Sequence, residues 1–261
     1  MKYQIAIPSY NRATILKKKT LPLLKRFNIN DNEIYIFVET EEMKKEYQAS
    51  GITNYRYVVT NTKGICEKRN FLETYYREQT EIDAYISIDD DIQDIFELSE
   101  DSKTVEPVKN IRNFFDRAFV ETNARGYSIW GVSPLHNPFF MSHEKSTNLK
   151  YICGALNGRI VRRDRFEIHA DVDHCEDFQF SMEYFLRDGG VMKYNHLGLK
   201  TKYFEKEGGI CGSMGGLDNR KKNMEENCKY MEERYPGMAT AIEKKFGWDL
   251  KLNWRFKQLV L

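Results

Sequence analysis

Cysteine is scarce in this sequence, and its placement argues against two kinds of site. The 261 residues include five cysteines, and no two form a Cys-x-x-Cys pair: Cys66, Cys153, Cys175, Cys211 and Cys228. Zinc sites and disulfide frameworks need paired or regularly spaced thiols, so neither is expected. A dispersed, odd set is typical of reduced thiols, and we expect a cytoplasmic, intracellular protein.

Long apolar runs and an excess of one charge are also missing. No stretch is long enough to cross a bilayer, and Met1-Lys2 leads directly into a strand-like segment, so we expect no signal peptide and no membrane insertion. The formal net charge is +1, whereas proteins that hold nucleic acid by bulk charge are usually more basic. Basic clusters at residues 17–19, 159–165 and 220–222 still leave room for a local basic groove.

The first 95 residues alternate short apolar runs with helical patterns. Four runs are typical of buried strands, at residues 3–7, 34–38, 55–59 and 84–88. This alternation predicts an α/β fold whose sheet is mostly parallel, with crossover helices. The second half is more mixed and shows no repeat or linker, so we expect residues 1–261 to form a single domain that ends in C-terminal helices.

Two prolines and two small polar residues punctuate the start of the chain. Pro8 cannot donate to a ladder, so the first strand should end there. Ser9 or Asn11 is then expected to cap a helix beginning near Ala13. Pro22 lies within the helical pattern and should break or kink the helix.

Three carboxylates follow the fourth apolar run, at Asp89, Asp90 and Asp91. They should stand where the strand leaves the sheet, which is where open α/β sheets bind ligands. Adjacent carboxylates need a counter-charge, and Mg²⁺ or Mn²⁺ is commonly held by one or two carboxylates together with substrate phosphates. A solvated acidic turn is the alternative.

Four motifs occur in order along the chain. They are Ile7-Pro8-Ser9-Tyr10-Asn11-Arg12, then Gly64 with Arg69-Asn70, then Ile88-Asp89-Asp90-Asp91, and finally Arg162-Arg163-Asp164-Arg165-Phe166 followed by Glu176-Asp177, Arg187 and Gly189-Gly190. Together they resemble the nucleotide-sugar-dependent glycosyltransferases of the GT-A fold, in particular family 2. The resemblance spans residues 3 to about 190. It implies a GT-A-like, Rossmann-type sandwich with a mixed acceptor-side half.

The resemblance also implies roles for the first motifs. Residues 1–95 would bind a UDP-sugar and residues 96–261 the acceptor. Asp91 would be the direct metal ligand and Asp89 a metal or donor-sugar ligand, with Asp90 behind them. The remaining residues implied in nucleotide-sugar binding are Pro8, Tyr10, Arg12, Glu39, Gly64 and Arg69. A helix N-terminal charge for Glu39 and a structural salt bridge for Arg69 remain open.

The acid pair Glu176-Asp177 corresponds to the catalytic pair of that family. Asp177 would take the proton of the acceptor hydroxyl and Glu176 would orient it, which gives inversion at the anomeric carbon. An acid pair that stabilises a helix N-terminus is the alternative. His196 is the nearest candidate for a third metal ligand, although Tyr203-Phe204 stand nearer the usual place. The glycine-rich stretch 208–216 could close over the diphosphate, helped by Arg220 and Lys221.

The acceptor remains open at this point. Three further features are Lys19-Thr20-Leu21 with Leu23-Leu24, residues 34–38 followed by a Glu-rich helix, and Asp89-Asp90-Asp91-Ile92. Through them residues 1–95 also resemble, more loosely, phage and viral glycosyltransferases that modify hydroxymethylated bases in DNA, and such a base must be flipped out of a duplex. A polysaccharide, lipid or protein acceptor is the alternative. Outside this class stand a metal-dependent nucleotidyltransferase and a non-catalytic nucleotide- or DNA-binding module. The first should show a glycine- and lysine-rich loop after the first strand, but residues 8–12 contain no glycine.

Overall fold

The first half of the chain forms the parallel part of a large sheet. The computed structural model describes residues 1–201, 217–244 and 247–257, with side chains from residue 222 onward in the second of these ranges. The elements of the first half are β1 (Tyr3–Pro8), α1 (Ala13–Lys18), α2 (Thr20–Arg26), β2 (Ile34–Val38), α3 (Glu41–Ala49), β3 (Arg56–Val59), α4 (Gly64–Glu78) and β4 (Ala84–Ile88). β1 pairs in parallel with β2 and β4, and β2 with β3. The predicted alternation is confirmed, and the carboxyl ends of these strands share one edge.

The second half extends this sheet with strands of both directions. Its elements are β5 (Asp94–Leu98), β6 (Val105–Pro107), α5 (Ile111–Ala124), β7 (Ile129–Ser133), β8 (Lys145–Ser146), β9 (Leu156–Ile160), α6 (Glu176–Asp188), β10 (Met192–Lys200), α7 (Leu217–Arg234), β11 (Ala239–Lys244) and β12 (Gly247–Leu252). The sheet order is β3-β2-β1-β4-β9-β7-β10-β5-β6, with β8 also paired to β10. In this sheet β5, β8 and β9 run opposite to the other strands. The expected α/β class is therefore confirmed.

Two hairpins were not predicted. β5 and β6 pair directly after the acidic triplet, and β11 pairs with β12 where C-terminal helices were expected. Within the described residues of that region, α7 is the helix. Residues 247–252 alternate apolar and polar side chains, a period-2 pattern that suits a half-buried strand, whereas residues 94–98 show no strict alternation.

The first helical region is interrupted, but not at Pro22. α1 ends at Lys18 and α2 begins at Thr20, with the break at Lys19 (φ −118°, ψ −80°). Pro22 therefore lies in the first turn of α2, where backbone N–H groups have no intrahelical partner and a proline costs little. The break orients Thr20 toward the turn that follows β4.

Apolar side chains fill both faces of the sheet. One cluster packs Leu16, Leu24 and Phe115 against β1 and β4, and a second packs α4 against β1, β2 and β4. A third packs α6 against α7 and the C-terminal hairpin. Gly158 lies within β9 because the indole of Trp130 covers it, and an added Cβ would collide with that ring. Among the described residues, no helix has the length and apolar character needed to cross a membrane.

Candidate active site

The two acidic motifs of the sequence meet at one arginine. Asp89 follows β4, Glu176 opens α6, and Arg69 comes from α4. The guanidinium of Arg69 lies 3.3 Å from the Asp89 carboxylate and also donates to the Glu176 carboxylate. Arg69 and Glu176 are each 4% exposed. The salt bridge left open for Arg69 is thus present, and it joins segments more than 100 residues apart in sequence.

A second arginine neutralises the other two aspartates. Arg12, which follows β1, lies 3.0 Å from Asp90 and 3.2 Å from Asp91. Ser9 donates a 2.6 Å hydrogen bond to Asp90 and shares another of 2.6 Å with the hydroxyl of Tyr47. Neither Ser9 nor Asn11 caps α1, because its N-cap residue is Arg12. Ser9 and Arg12 instead stabilise the acidic turn through their contacts with Asp90.

Asp90 lies behind Asp89 and Asp91, as the resemblance implies. Its side chain is 4% exposed, accepts a hydrogen bond from Ser9 and forms an ion pair with Arg12. Burial raises the pKa of Asp90 to about 7, although Arg12 opposes that shift. We therefore assign Asp90 a supporting position behind its two neighbours.

Asp89 and Asp91 are the acids that a ligand could reach. The side chain of Asp89 is 31% exposed and that of Asp91 is 11% exposed. Thr201 donates a 2.9 Å hydrogen bond to Asp91, and burial raises the pKa of Asp89 to about 6. Both offer hard carboxylate oxygens at the carboxyl end of a parallel strand.

These residues fit a divalent cation that is shared with a phosphate ligand. No set of three or more His, Cys, Asp or Glu side chains within the described ranges could hold a metal by itself. Mg²⁺ and Mn²⁺ at phosphate sites need only one or two carboxylates. Among the described residues, four of the five site carboxylates contact a guanidinium group, Asp90 and Asp91 that of Arg12 and Asp89 and Glu176 that of Arg69. Two guanidinium groups do not balance five carboxylates, so a cation would offset the remaining negative charge.

Thr20 closes the acidic turn. Its hydroxyl donates to the carbonyl of Asp89 (2.8 Å) and accepts from the backbone N–H of Ile92 (3.0 Å). Thr20 is fully buried, so water cannot replace either bond. The break between α1 and α2 therefore has a consequence for the site, since it brings this hydroxyl to the turn.

Replacing Thr20 with valine is expected to lower the free energy of unfolding by about 1–3 kcal/mol, because the buried N–H of Ile92 loses its acceptor. Urea unfolding measures the change. Thr20→Ser keeps the hydroxyl and should retain most of the stability. An unchanged free energy of unfolding for Thr20→Val would show that the hydroxyl does not hold the turn.

Asp177 is the more accessible member of the acid pair. Its Oδ2 accepts hydrogen bonds from the hydroxyl of Tyr151 (2.6 Å) and the N–H of Gly154 (3.1 Å). Its Oδ1 accepts from the N–H of Phe178 (3.0 Å). The side chain is half-buried, whereas Glu176 is buried against Arg69. Gly154 allows the loop to lie on Arg69, since an added Cβ would collide with the guanidinium.

The other predicted nucleotide-binding residues lie along the same strand ends. Pro8 is the last residue of β1 and Glu39 follows β2. Lys68 donates to the carbonyl of Ser9 (3.1 Å), and its ammonium lies 5.6 Å from the ring centroid of Tyr10. Burial lowers the pKa of Lys68 to about 8, and Glu39 and Asp90 counteract that shift.

Gly64 occupies a position that only glycine tolerates well. It begins α4 with φ +78°, and an added Cβ would lie 3.1 Å from the Asp173 carboxylate. Tyr203-Phe204, the glycine-rich stretch 208–216 and the side chains of Arg220 and Lys221 lie outside the described residues.

His196 is not brought to the acidic triplet. Thr201, five residues further along the chain than His196, contacts Asp91. Because five strand residues span about 16 Å, His196 lies too far away to do the same. His196 instead lies near Glu97 (4.0 Å) and faces the ring of His143 (6.5 Å between centroids). The prediction of His196 as a metal ligand is therefore wrong, because His196 comes too early in β10 to reach the acidic triplet.

His196 should affect the pH dependence of stability instead. Burial lowers its pKa from 6.5 to about 4, and the facing Arg117, His143 and Lys145 act in the same direction against Glu121. Below pH 6.5 the unfolded chain binds a proton that the folded chain does not, so stability falls as the pH drops from about 6.5 to 4. We expect His196→Asn to remove about 2–3 kcal/mol of this loss.

Unfolding free energies at pH 7 and pH 4.5 measure the effect. The same variant should bind Mn²⁺ as the unaltered protein does. Weaker Mn²⁺ binding by His196→Asn would show that His196 is a metal ligand.

Comparison with known proteins gives structural likeness without sequence likeness. No protein-family model matches the chain, and a search of curated proteins finds no match. The structure resembles S. aureus TarS 1-349 in complex with UDP-GlcNAc, with a TM-score of 0.55 at 12% identity, covering 89% of this chain and 67% of that one. It also resembles the mannosyltransferase PcManGT from Pyrobaculum calidifontis in complex with GDP-Man and Mn²⁺, with a TM-score of 0.50 at 9% identity, covering 89% and 64%.

The likeness concerns the fold. The chain spans about two thirds of the length of each of these two structures. In the present chain, the ends of β1, β2 and β4 carry Arg12, Glu39 and the acidic triplet at one edge of the sheet. The chain has the α/β fold of GT-A nucleotide-sugar glycosyltransferases.

Proposed function

We propose that the protein is a metal-dependent, inverting glycosyltransferase that moves a sugar from a UDP-sugar to an acceptor hydroxyl. One observation carries this proposal: Arg69 joins Asp89, which follows β4, to the acid pair that opens α6. A donor-side acid and an acceptor-side acid are thereby held at one edge of a glycosyltransferase-like fold. Residues 1–95 would hold the donor and residues 96–261 the acceptor.

On the donor side, Asp91 and Asp89 would hold Mn²⁺ or Mg²⁺. When bound, the cation would offset the negative charge that develops on the departing diphosphate. Thr201 and Arg12 fix the Asp91 carboxylate, and Asp90 fixes Arg12 in turn. The nucleotide would lie against the ends of β1 and β2, where Tyr10 and Glu39 are found.

On the acceptor side, Asp177 would accept the proton of the attacking hydroxyl. It is half-buried and carries no ion-pair partner in direct contact among the described residues, whereas Glu176 is committed to Arg69. Hydrogen bonds from Tyr151 and Gly154 orient the carboxylate of Asp177. Because a single displacement with such a base attacks from the face opposite the leaving group, the product would be inverted.

For the acceptor we propose hydroxymethylated bases in DNA. The support is the likeness of residues 1–95 to the phage and viral enzymes that modify such bases. A base in a duplex would have to leave the stack to reach Asp177.

Donor screening tests this function. The protein would be incubated with a panel of nucleotide sugars and Mn²⁺, and its melting temperature measured with and without EDTA. We expect stabilisation by UDP-sugars that is lost in EDTA, followed by sugar transfer to DNA that contains hydroxymethylated bases. Asp91→Asn should lose the Mn²⁺-dependent part of this stabilisation, whereas Asp101→Asn, in the exposed turn between β5 and β6, should keep it. If no nucleotide sugar raised the melting temperature of the protein, the proposal would be contradicted.

A further inference from the structure

A cluster of cations and one indole lies beside the proposed base. Lys193, at the start of β10, places its ammonium 5.7 Å from the ring centroid of Tyr151, whose hydroxyl donates to Asp177. Lys150 precedes Tyr151 in the chain and lies 5.4 Å from the ring centroid of Trp254. We call the set formed by Lys150, Lys193, Trp254 and Arg255 the basic–aromatic cluster.

The cations of this cluster have no ion-pair partner among the described residues. Arg255 lies 4.6 Å from the same indole centroid that Lys150 approaches. Burial lowers the pKa of Lys193, and the charge of Lys150 lowers it further. The two ammonium groups therefore repel each other electrostatically. Three cations held together, with no carboxylate in contact with them in the described part of the chain, create a positive potential that favours binding of an anion.

The indole of Trp254 is exposed but firmly placed. Half of its surface (50%) is accessible to solvent. Its carbonyl accepts a 2.8 Å hydrogen bond from the side chain of Asn148, and Phe256 packs against Phe185 of α6 with a centroid distance of 6.1 Å. The segment after β12 is thereby fixed to the helix whose first turn carries Asp177.

We propose that the basic–aromatic cluster binds a single-stranded nucleic acid, its cations contacting backbone phosphates and Trp254 stacking on a base next to the one at Asp177. This inference rests on the proposed function, since it assigns the acceptor side of the same site. Single strands are bound in this way, by cations that follow the backbone and aromatic rings that stack on bases. The net charge of +1 is compatible with such a surface, because the positive charge is local.

The test is fluorescence anisotropy with a labelled single-stranded oligonucleotide over a series of salt concentrations. We expect Lys150→Glu and Arg255→Glu each to weaken binding by about tenfold and to reduce the slope of log K against log salt by about 1. Trp254→Ala should weaken binding by about tenfold or more with an unchanged salt slope. Lys45→Glu, an equal charge reversal on exposed α3, should have little effect.

Donor binding is measured on the same variants as stabilisation by a UDP-sugar with Mn²⁺, and it should be unchanged. If no UDP-sugar stabilises the protein, the proposed function fails, and the anisotropy still decides on the cluster. If the donor binds but the oligonucleotide does not, or if Lys45→Glu weakens binding as much as Lys150→Glu, the cluster is not the acceptor surface. If a polyol-phosphate polymer binds equally well and Trp254→Ala has no effect, the surface selects phosphate alone and the nucleic-acid assignment is overturned.

Discussion

Asp177→Asn is expected to lower kcat by about 10²- to 10⁴-fold while leaving affinity for the donor unchanged. The asparagine can still accept hydrogen bonds from Tyr151 and Gly154 through its carbonyl oxygen, so the loop and the start of α6 should keep their geometry. What it cannot do is take up the proton of the acceptor hydroxyl. Initial rates with saturating donor and acceptor measure kcat, and thermal stabilisation by the donor measures binding.

Two companion variants separate proton transfer from orientation. Tyr151→Phe removes one hydrogen bond to Asp177 but leaves those from Gly154 and Phe178, so its effect on kcat should be much smaller. Asp101→Asn makes the same chemical change outside the site and should leave kcat as it is. If Asp177→Asn turned over at the full rate with donor affinity intact, another group would have to be the base.

β2 and β4 could be predicted from sequence because they are buried on both faces of the sheet. Residues 34–38 form an apolar run, residues 84–88 form one that only Ser87 interrupts, and both match their strands at both ends. The same reasoning failed for β5 and β12. β12 alternates apolar and polar residues over only six positions, and β5 shows no regular alternation over its five, so neither segment can be distinguished from a loop by its pattern.

The candidate site could be predicted in its residue types but not in its connections. Carboxylates that follow strands fall at one edge of a parallel sheet, so their proximity follows from chain order. The sharing of Arg69 between Asp89 and Glu176 depends on how α6 packs against α4, and no local pattern contains that information. Similarly, only the three-dimensional structure reveals that Arg12 pairs with both Asp90 and Asp91.

Single polar residues inside apolar patterns were missed for a related reason. Thr20, Tyr47 and Tyr151 each hydrogen-bond to the site or its supports, yet none was predicted as a site residue. Their positions agree with ordinary helix or loop residues, so sequence alone gives no signal. His196 failed in the opposite way: the residue type was suitable, but its position along β10 was not.

Glu73→Gln is expected to lower the free energy of unfolding by about 3–5 kcal/mol, the largest stability change anticipated for a residue outside the proposed site. Glu73 of α4 accepts hydrogen bonds from Arg159, from Tyr85 (3.0 Å) and from Tyr184 (2.8 Å). Arg159, in the middle of β9, is only 2% exposed. Without the carboxylate, a guanidinium would remain buried with no opposite charge in contact among the described residues.

Aromatic rings also surround the guanidinium of Arg159. Its guanidinium lies 4.3 Å from the centroid of Phe180 and 5.9 Å from that of Tyr85, and ring faces attract cations. Such contacts stabilise by about 0.5–2 kcal/mol, less than the cost of an unpaired buried charge, so Glu73 should dominate. Urea unfolding compares Glu73→Gln with Glu81→Gln, whose side chain is 81% exposed and which should change stability by less than about 0.5 kcal/mol. Equal midpoints for the two variants would mean that the aromatic rings hold the guanidinium without the carboxylate.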